Sequence, residues 1–299
     1  MILVLAMLLD AAFGEPRLIW DRFSHPAVLM GRGVAYLDRR FNTGTARRAK
    51  GTVALAAMVL VAYGLGQVIV LIPDFGLLEI IVAAILLAQK SLVDHVRAVG
   101  DALRLSLPGG RRAVSMIVGR DTAAMEGPAV ARAAIESAAE NLSDGVIAPA
   151  FWFLVGGLPL MLVYKITNTA DSMIGHRTPR HEEFGWASAR FDDLLNLIPA
   201  RLTALLIALS HGWTDPKPIL RDAPLHRSPN AGWPEAAMAV VLNVALSGPR
   251  AYHEVLSDFP WVWSEGRRDA GPDDIDAACR ALWRTWGLML VLIFCVSLL

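Results

Sequence analysis

The sequence predicts an all-α, multi-pass membrane protein with re-entrant or half-helix segments and a polar cytoplasmic face. Three observations carry that expectation. Hydrophobic residues fill 55% of the 299 positions and charged residues 19%, where soluble domains hold about 45–50% and about 25%. Apolar runs of membrane length recur along the chain. Basic residues gather beside those runs instead of spreading evenly. One membrane-embedded helical domain over 1–299 is therefore expected. Lys plus Arg equals Asp plus Glu, 28 each, so no overall field would recruit nucleic acid. Cys279 and Cys295 form no CxxC and give no disulfide framework.

The N-terminal stretch "MILVLAMLLDAAFGEP" lacks a basic start and is interrupted by Asp10, so it reads as a retained membrane or interfacial segment. The clearest span is 52–72, because about 20 helical residues rise about 30 Å. "PDFG" at 73–76 makes a tight turn, and 77–92 returns as a second helix. Arg32, Arg39, Arg40, Arg47, Arg48 and Lys50 precede this hairpin; Lys90, Arg97, Arg104, Arg111 and Arg112 follow it. The positive-inside rule thus puts 31–51 and 94–145 in the cytoplasm.

The run 146–164 is long enough to cross, but Gly156, Gly157 and Pro159 interrupt it. With both flanks cytoplasmic it would be re-entrant and bent at "GGLP"; a plain span is the other reading. The apolar runs 202–213 and 235–248 are short and suit half-helices. "SEGRRDAGPDDIDAACRAL" reads as a surface loop entering an amphipathic helix, with Asp273 or Asp274 in its first turn, and 283–299 as a marginal last span.

Polar residues crowd both ends of 146–164. In "RAAIESAAENLSDG", Glu136, Glu140 and Asp144 recur at i, i+4 and i+8 on one helix face, with Gly145 as a C-terminal cap. Such a stripe is either a solvated acidic face or a set of oxygen ligands for Mg²⁺. After the run, "YKITNTADSMIG" sets Lys165, Asn168 and Asp171 at i, i+3 and i+6, dense enough to suggest a binding loop. "FGWASARFDDLLNLIPAR" reads as an amphipathic helix with Phe191, Leu194, Leu195 and Ile198 as its apolar stripe, and with Arg190, Asp192, Asp193, Asn196 and Arg201 as polar positions. "GRDT" at 119–122 and "HRSPNAGWPE" at 226–235 are loop-like and centred on Arg120 and Arg227, suited to bidentate capture of phosphate or carboxylate. No Walker A loop, dinucleotide fingerprint, GxSxG or zinc spacing is present.

Taken in order, "GRDT", "AAIESAAENLSDGVIAP", "YKITNTADSMIGHR", "FGWASARFDDLLNLIPARLT" and "HRSPNAGWPEAAMA" resemble the adenosylcobinamide-phosphate synthase family, as does "LDAAFGEPRLIWDRFSHPAVLMG" more weakly. The resemblance covers roughly residues 5–250. Glu15 stands where an Asp is expected, and His176 where an aromatic is commoner.

The resemblance implies a multi-pass enzyme of cobalamin biosynthesis in the bacterial inner membrane, its active face cytoplasmic. It implies a ligase that joins the propionate carboxylate of adenosylcobyric acid to the amine of an aminopropanol phosphate with hydrolysis of ATP. ATP and Mg²⁺ are the cofactors so implied. Membrane lipid surrounds the protein, and a homo-oligomer or contact with later cobalamin-assembly enzymes fits this setting.

For that chemistry, Glu136, Glu140 and Asp144 would supply Mg²⁺ ligands together with Asp171. Arg120, Arg190, Arg201 and Arg227, with Asn141, Asn168 and Asn230, would bind substrate. Lys165 would neutralise charge at the reacting carboxyl, and Asp192 or Asp193 would act as general base. A corrinoid transporter or a membrane scaffold is the rival reading.

Overall fold

A computed structural model of the chain describes residues 1–252, 255–257 and 259–298. The all-α expectation holds: the strands described form just two short antiparallel ribbons, Leu246–Ser247 with Trp261–Val262 and Arg250–Tyr252 with Val255–Ser257. Among the described residues, three helices are long and apolar enough to cross a membrane: Arg47–Val70, Gly127–Ile174 and Pro272–Val296. The chain divides into two compact units. One comprises Met1–Ala88 and Ala148–Leu197, the other Gln89–Ile147 and Ile198–Leu299.

In the first unit, the spanning helix Arg47–Val70 packs on Ala148–Ile174. Two glycines on Arg47–Val70 permit close approaches, Gly66 to this helix and Gly51 to the segment that follows it. A Cβ on Gly51 would meet the Phe184 carbonyl oxygen at 1.9 Å, and one on Gly66 would meet Pro159 Cα at 2.5 Å. The N-terminal stretch forms the helix Ile2–Phe13, which packs on Leu77–Leu86 and buries Leu3, Val4, Ala6, Met7 and Asp10. The turn at 73–76 is present, closed by Asp74 accepting from the Gly76 and Leu78 amides.

The hairpin's second arm is shorter than the sequence suggests. It ends at Leu86, Leu87 is extended at ψ 154°, and a separate helix, Gln89–Leu105, follows. Ten residues of helix rise only about 15 Å, so this arm does not cross by itself.

The bend at "GGLP" is present. Gly156 (φ −155°, ψ 29°) and Gly157 (φ 68°, ψ −163°) leave helical geometry, and Gly157 takes a backbone conformation that favours glycine. The expected binding loop at 164–175 is not a loop: the helix continues through Lys165, Asn168 and Asp171 to Ile174. Thr167 and Thr169 turn their hydroxyls onto the carbonyls of Val163 and Lys165, so these polar side chains ride on the helix without breaking it. The predicted stripe on 186–201 is also split. The helix Trp186–Leu195 ends at Asn196 and Leu197–Ser210 begins anew, which puts Ile198 on a different helix from Phe191. Phe191 and Leu195 pack into a core with Ala148, Trp152 and Tyr164, while Leu194 is exposed.

In the second unit, the alanine-rich helix Gly127–Leu142 is buried on nearly every side, against Gln89–Leu105, Leu107–Val114, Gly232–Leu242 and Pro272–Val296. Small side chains let several helices close on one. Gly145 does not cap this helix. The chain passes instead into a π-helical turn, Ser143–Ile147, so Asp144 leaves the i+8 register expected of it. The C-terminal helix has the acidic first turn foreseen, with Asp274 accepting from the Gly271 amide. It begins at Pro272, so the amphipathic and apolar parts form one element.

Candidate active site

The first unit assembles a carboxylate cluster between two helices. Asp192, on Trp186–Leu195, is buried. Its Oδ1 accepts from Asn168 Nδ2 at 3.3 Å and its Oδ2 from Asn196 Nδ2 at 2.9 Å. Asn196 is oriented in turn by Tyr164, whose hydroxyl donates to Asn196 Oδ1 at 3.1 Å. Trp152 Nε1 donates to the Leu195 carbonyl at 3.2 Å, fixing the end of the same helix. Asp171 lies close enough for its charge to act on Asp192. A Cβ on Gly175 would meet Asp171 Oδ1 at 1.8 Å, so the bare glycine gives the carboxylate its room.

This helix is not one of the three membrane-length helices, but with Leu197–Ser210 it forms a pair, bent by 44°, that is long and apolar enough to cross when taken together. Burial, the Asp171 charge and the Asp193 charge push the Asp192 carboxyl up to about 7, against the pull of the two amide hydrogen bonds. Burial also raises Asp193, against the charges of Arg190 and Arg177. Arg190 Nη1 stands 3.8 Å from Asp193 in an i, i+3 pair of an exposed arginine with a half-buried carboxylate. Lys165 is half-buried, and its charge reaches His25, which burial and that charge hold below the usual histidine value against the pull of Glu15. The segment 175–185, between Ala148–Ile174 and Trp186–Leu195, is strapped down where Arg180 Nη2 meets Asp38 at 2.6 Å and Arg47 Nε meets Glu183 at 3.1 Å.

The second unit gathers the other predicted residues. Arg120 and Glu136 form a buried ion pair at 2.6 Å, their side chains 9% and 11% exposed. Glu136 Oε1 accepts from the Ser247 amide at 2.8 Å, so both carboxylate oxygens are engaged. Asn141 Nδ2 donates to the carbonyl and hydroxyl of Ser137, whose own hydroxyl donates to the Ile117 carbonyl. Glu140 is exposed and Asp144 half-buried. Arg201 donates to Asn230 Oδ1 at 3.3 Å and lies 4.6 Å over the Trp233 ring. Arg227 lies 4.4 Å over Phe259.

Among the described residues, no three His, Cys, Asp or Glu side chains form a group able to hold a metal ion. A magnesium ion carried on nucleotide phosphates asks less, one or two carboxylates with water completing its shell. Asp171 beside Asp192 fits that lesser demand, while Glu136 has spent its oxygens on Arg120 and Ser247.

Comparison with known proteins follows the same line. The family model described as CobD/Cbib protein matches residues 3–282. The chain belongs to the CobD/Cbib family. Among its relatives, the cobalamin biosynthesis protein CobD of Brucella suis is 48% identical over 99% of this chain and 96% of its own length. That of Rhizobium meliloti is 49% identical over 97% and 94%. That of Rhodobacter capsulatus is 48% identical over 87% and 85%. No solved structure matches the chain. As a CobD/Cbib protein it has a role in cobalamin biosynthesis.

Within this CobD/Cbib chain, Lys165, Asn168, Asp171, Arg190, Asp192 and Asp193 belong to the first unit. Arg120, Glu136, Glu140, Asn141, Asp144, Arg201, Arg227 and Asn230 belong to the second. Sequence reasoning did not assign roles to Tyr164, Asn196 or Ser247. Asn196 carried a signal, its i+4 spacing from Asp192. Ser247, 111 residues from Glu136, carried none.

Proposed function

We propose that this CobD/Cbib protein is an adenosylcobinamide-phosphate synthase of the bacterial inner membrane, with its polar face cytoplasmic. It would form an amide between the propionate carboxylate of adenosylcobyric acid and the amine of (R)-1-amino-2-propanol phosphate. ATP bound with Mg²⁺ would transfer its terminal phosphoryl group to that carboxylate with release of ADP, turning a poor acyl donor into an acyl phosphate from which the amine displaces inorganic phosphate. The observation that carries this reading is Asp192: a buried carboxyl, raised to about 7, held by two amides and open to the influence of a second acid.

An amine can attack only after losing its proton, and a base poised near neutral pH takes that proton most effectively. Asp192 is that base, and Asn168 and Asn196 hold its two oxygens in place. Asp193 has the weaker claim, being less buried and countered by Arg190 and Arg177. Asp171 keeps negative charge beside Asp192 and fits as a carboxylate for the nucleotide's magnesium. Lys165 offsets charge at the reacting carboxyl. Arg190 in the first unit, and Arg201, Arg227 and Asn230 in the second, are the residues assigned to anionic substrate groups.

The test is direct. Purified protein is supplied with adenosylcobyric acid, ATP, Mg²⁺ and either aminopropanol phosphate or ethanolamine phosphate, and products are read by mass. Formation of the amide with ADP and phosphate is expected with one of the amines. No product with either amine, or corrinoid uptake into vesicles without chemical change, would overturn the proposal.

A further inference from the structure

The second unit places several arginines over aromatic rings. Arg132 and Arg268 both lie over the indole of Trp261, 5.0 and 4.6 Å from its centroid. Arg132 Nη1 also donates to the Arg268 carbonyl at 3.2 Å. The indole is fixed in place: Trp261 pairs with Ser247 in the ribbon, and a Cβ on Gly248 would meet the ring at 2.7 Å. The same Ser247 donates its amide to Glu136, one helical turn beyond Arg132 on Gly127–Leu142. Glu136 holds Arg120, whose buried Nε has no hydrogen-bond partner. Arg132 and Arg268 thus meet over one indole, and Glu136, on the helix of Arg132, joins Arg120 to the same ribbon through Ser247.

Stacking has a chemical consequence. A guanidinium lying on an aromatic face gives that face its π contact and keeps its N–H edge for in-plane acceptors. Two guanidiniums over one indole offer two sets of N–H donors to one anion. Planar forked donors match the oxygen spacing of phosphate. Lysines on flexible stems would give a diffuse field; these two arginines are pre-oriented, so little side-chain freedom is lost on binding.

We infer that Arg132 and Arg268, which meet over Trp261, form a binding site for a phosphate group. This rests on the proposed function and deepens it, because it names the residues that take a phosphorylated substrate. Two sources share the chemistry, the polyphosphate of a nucleotide and the monoester of a phosphorylated amine.

The experiment uses the full chain in lipid nanodiscs, without magnesium and at matched ionic strength. Affinities for tripolyphosphate, ATP and 1-amino-2-propanol phosphate are measured by calorimetry for the native protein, Arg132→Gln and Arg268→Gln. Arg268 is exposed, so its variant keeps the test open if Arg132→Gln fails to fold. Loss of about tenfold or more in affinity for at least one compound is expected in Arg268→Gln, as for a lost charge-assisted hydrogen bond. Weakening confined to tripolyphosphate and ATP assigns the site to the nucleotide; weakening confined to the amine phosphate assigns it to the monoester. Unchanged affinity for all three in a variant that melts like the native protein overturns the site, as does failure of the native protein to bind any of them. Binding needs no turnover. Arginine-dependent binding without amide synthesis would therefore leave this site standing and remove the proposed reaction, and the converse result would do the opposite.

Discussion

Asp192 and Glu136 are both carboxylates buried among helices, and their surroundings could hardly differ more. Asp192 has neutral partners, two side-chain amides, and acidic neighbours. Glu136 has a guanidinium and a backbone amide. A buried carboxylate facing a guanidinium gains enough Coulomb energy to stay charged and fixed. A buried carboxylate facing amides and other acids sits near the balance point between its two protonation states. The first arrangement is suited to holding structure together, the second to moving a proton.

That contrast can be broken by substitution. The largest effect should come from Asp192→Asn, which keeps the shape and removes the base. Amide synthesis, read by mass, should fall by about 10²–10⁴-fold, with the protein still folded in the membrane. Glu136→Ala should act on stability instead. It strands the Arg120 charge in a site about nine-tenths buried, at a cost of about 3–5 kcal/mol. A thermal melt in detergent checks this, and the double variant Arg120→Met, Glu136→Leu should recover part of the loss. If Glu136→Ala melts like the native protein, the contrast fails at its structural end.

Two smaller effects would sharpen the comparison. Asn196→Leu removes a hydrogen bond that pulls the Asp192 value down, so the acid limb of the pH–rate profile should move to higher pH than the native limb near 7. An unmoved limb would take Asp192 out of the rate-determining ionisation. Stability should show the matching slope. The folded value of Asp192, about 7, exceeds its unfolded value near 3.8, so between these limits the folded state binds the extra proton. Stability is therefore fullest below the lower limit and declines as pH rises through 7. Asp192→Asn should flatten that decline, seen by comparing melts at pH 5 and pH 8.

How much of this was legible in the sequence depended on whether the cause was local. The break at 156–159 was readable because two glycines and a proline carry their backbone preferences wherever they stand. The spanning helix Arg47–Val70 was readable from length and hydropathy. The end of Leu77–Leu86 was not: the run "ILLAQK" holds no glycine or proline, and the break coincides with the change from one compact unit to the other. The stretch around Lys165 and Asp171 was misread because its composition mimics a loop. Its threonines satisfy their own hydroxyls along the helix, which composition cannot reveal. At the candidate site, Asp192 was visible as an acid on a polar face. Its raised value was not, since that depends on the helix carrying Asn168 and Asp171 packing against it. The Arg120–Glu136 pair spans 16 residues and a loop, and spacing on one helix could not show it.

The break at Gly156 and Gly157 bears on how the first unit meets its substrate. Beyond it, 158–174 is an unbroken rod carrying Lys165, Asn168 and Asp171 at set heights and angles. A molecule that meets the lysine therefore meets the amide and the carboxylate at fixed offsets along one helix, and their relative placement is set by helix geometry instead of by a loop's conformation.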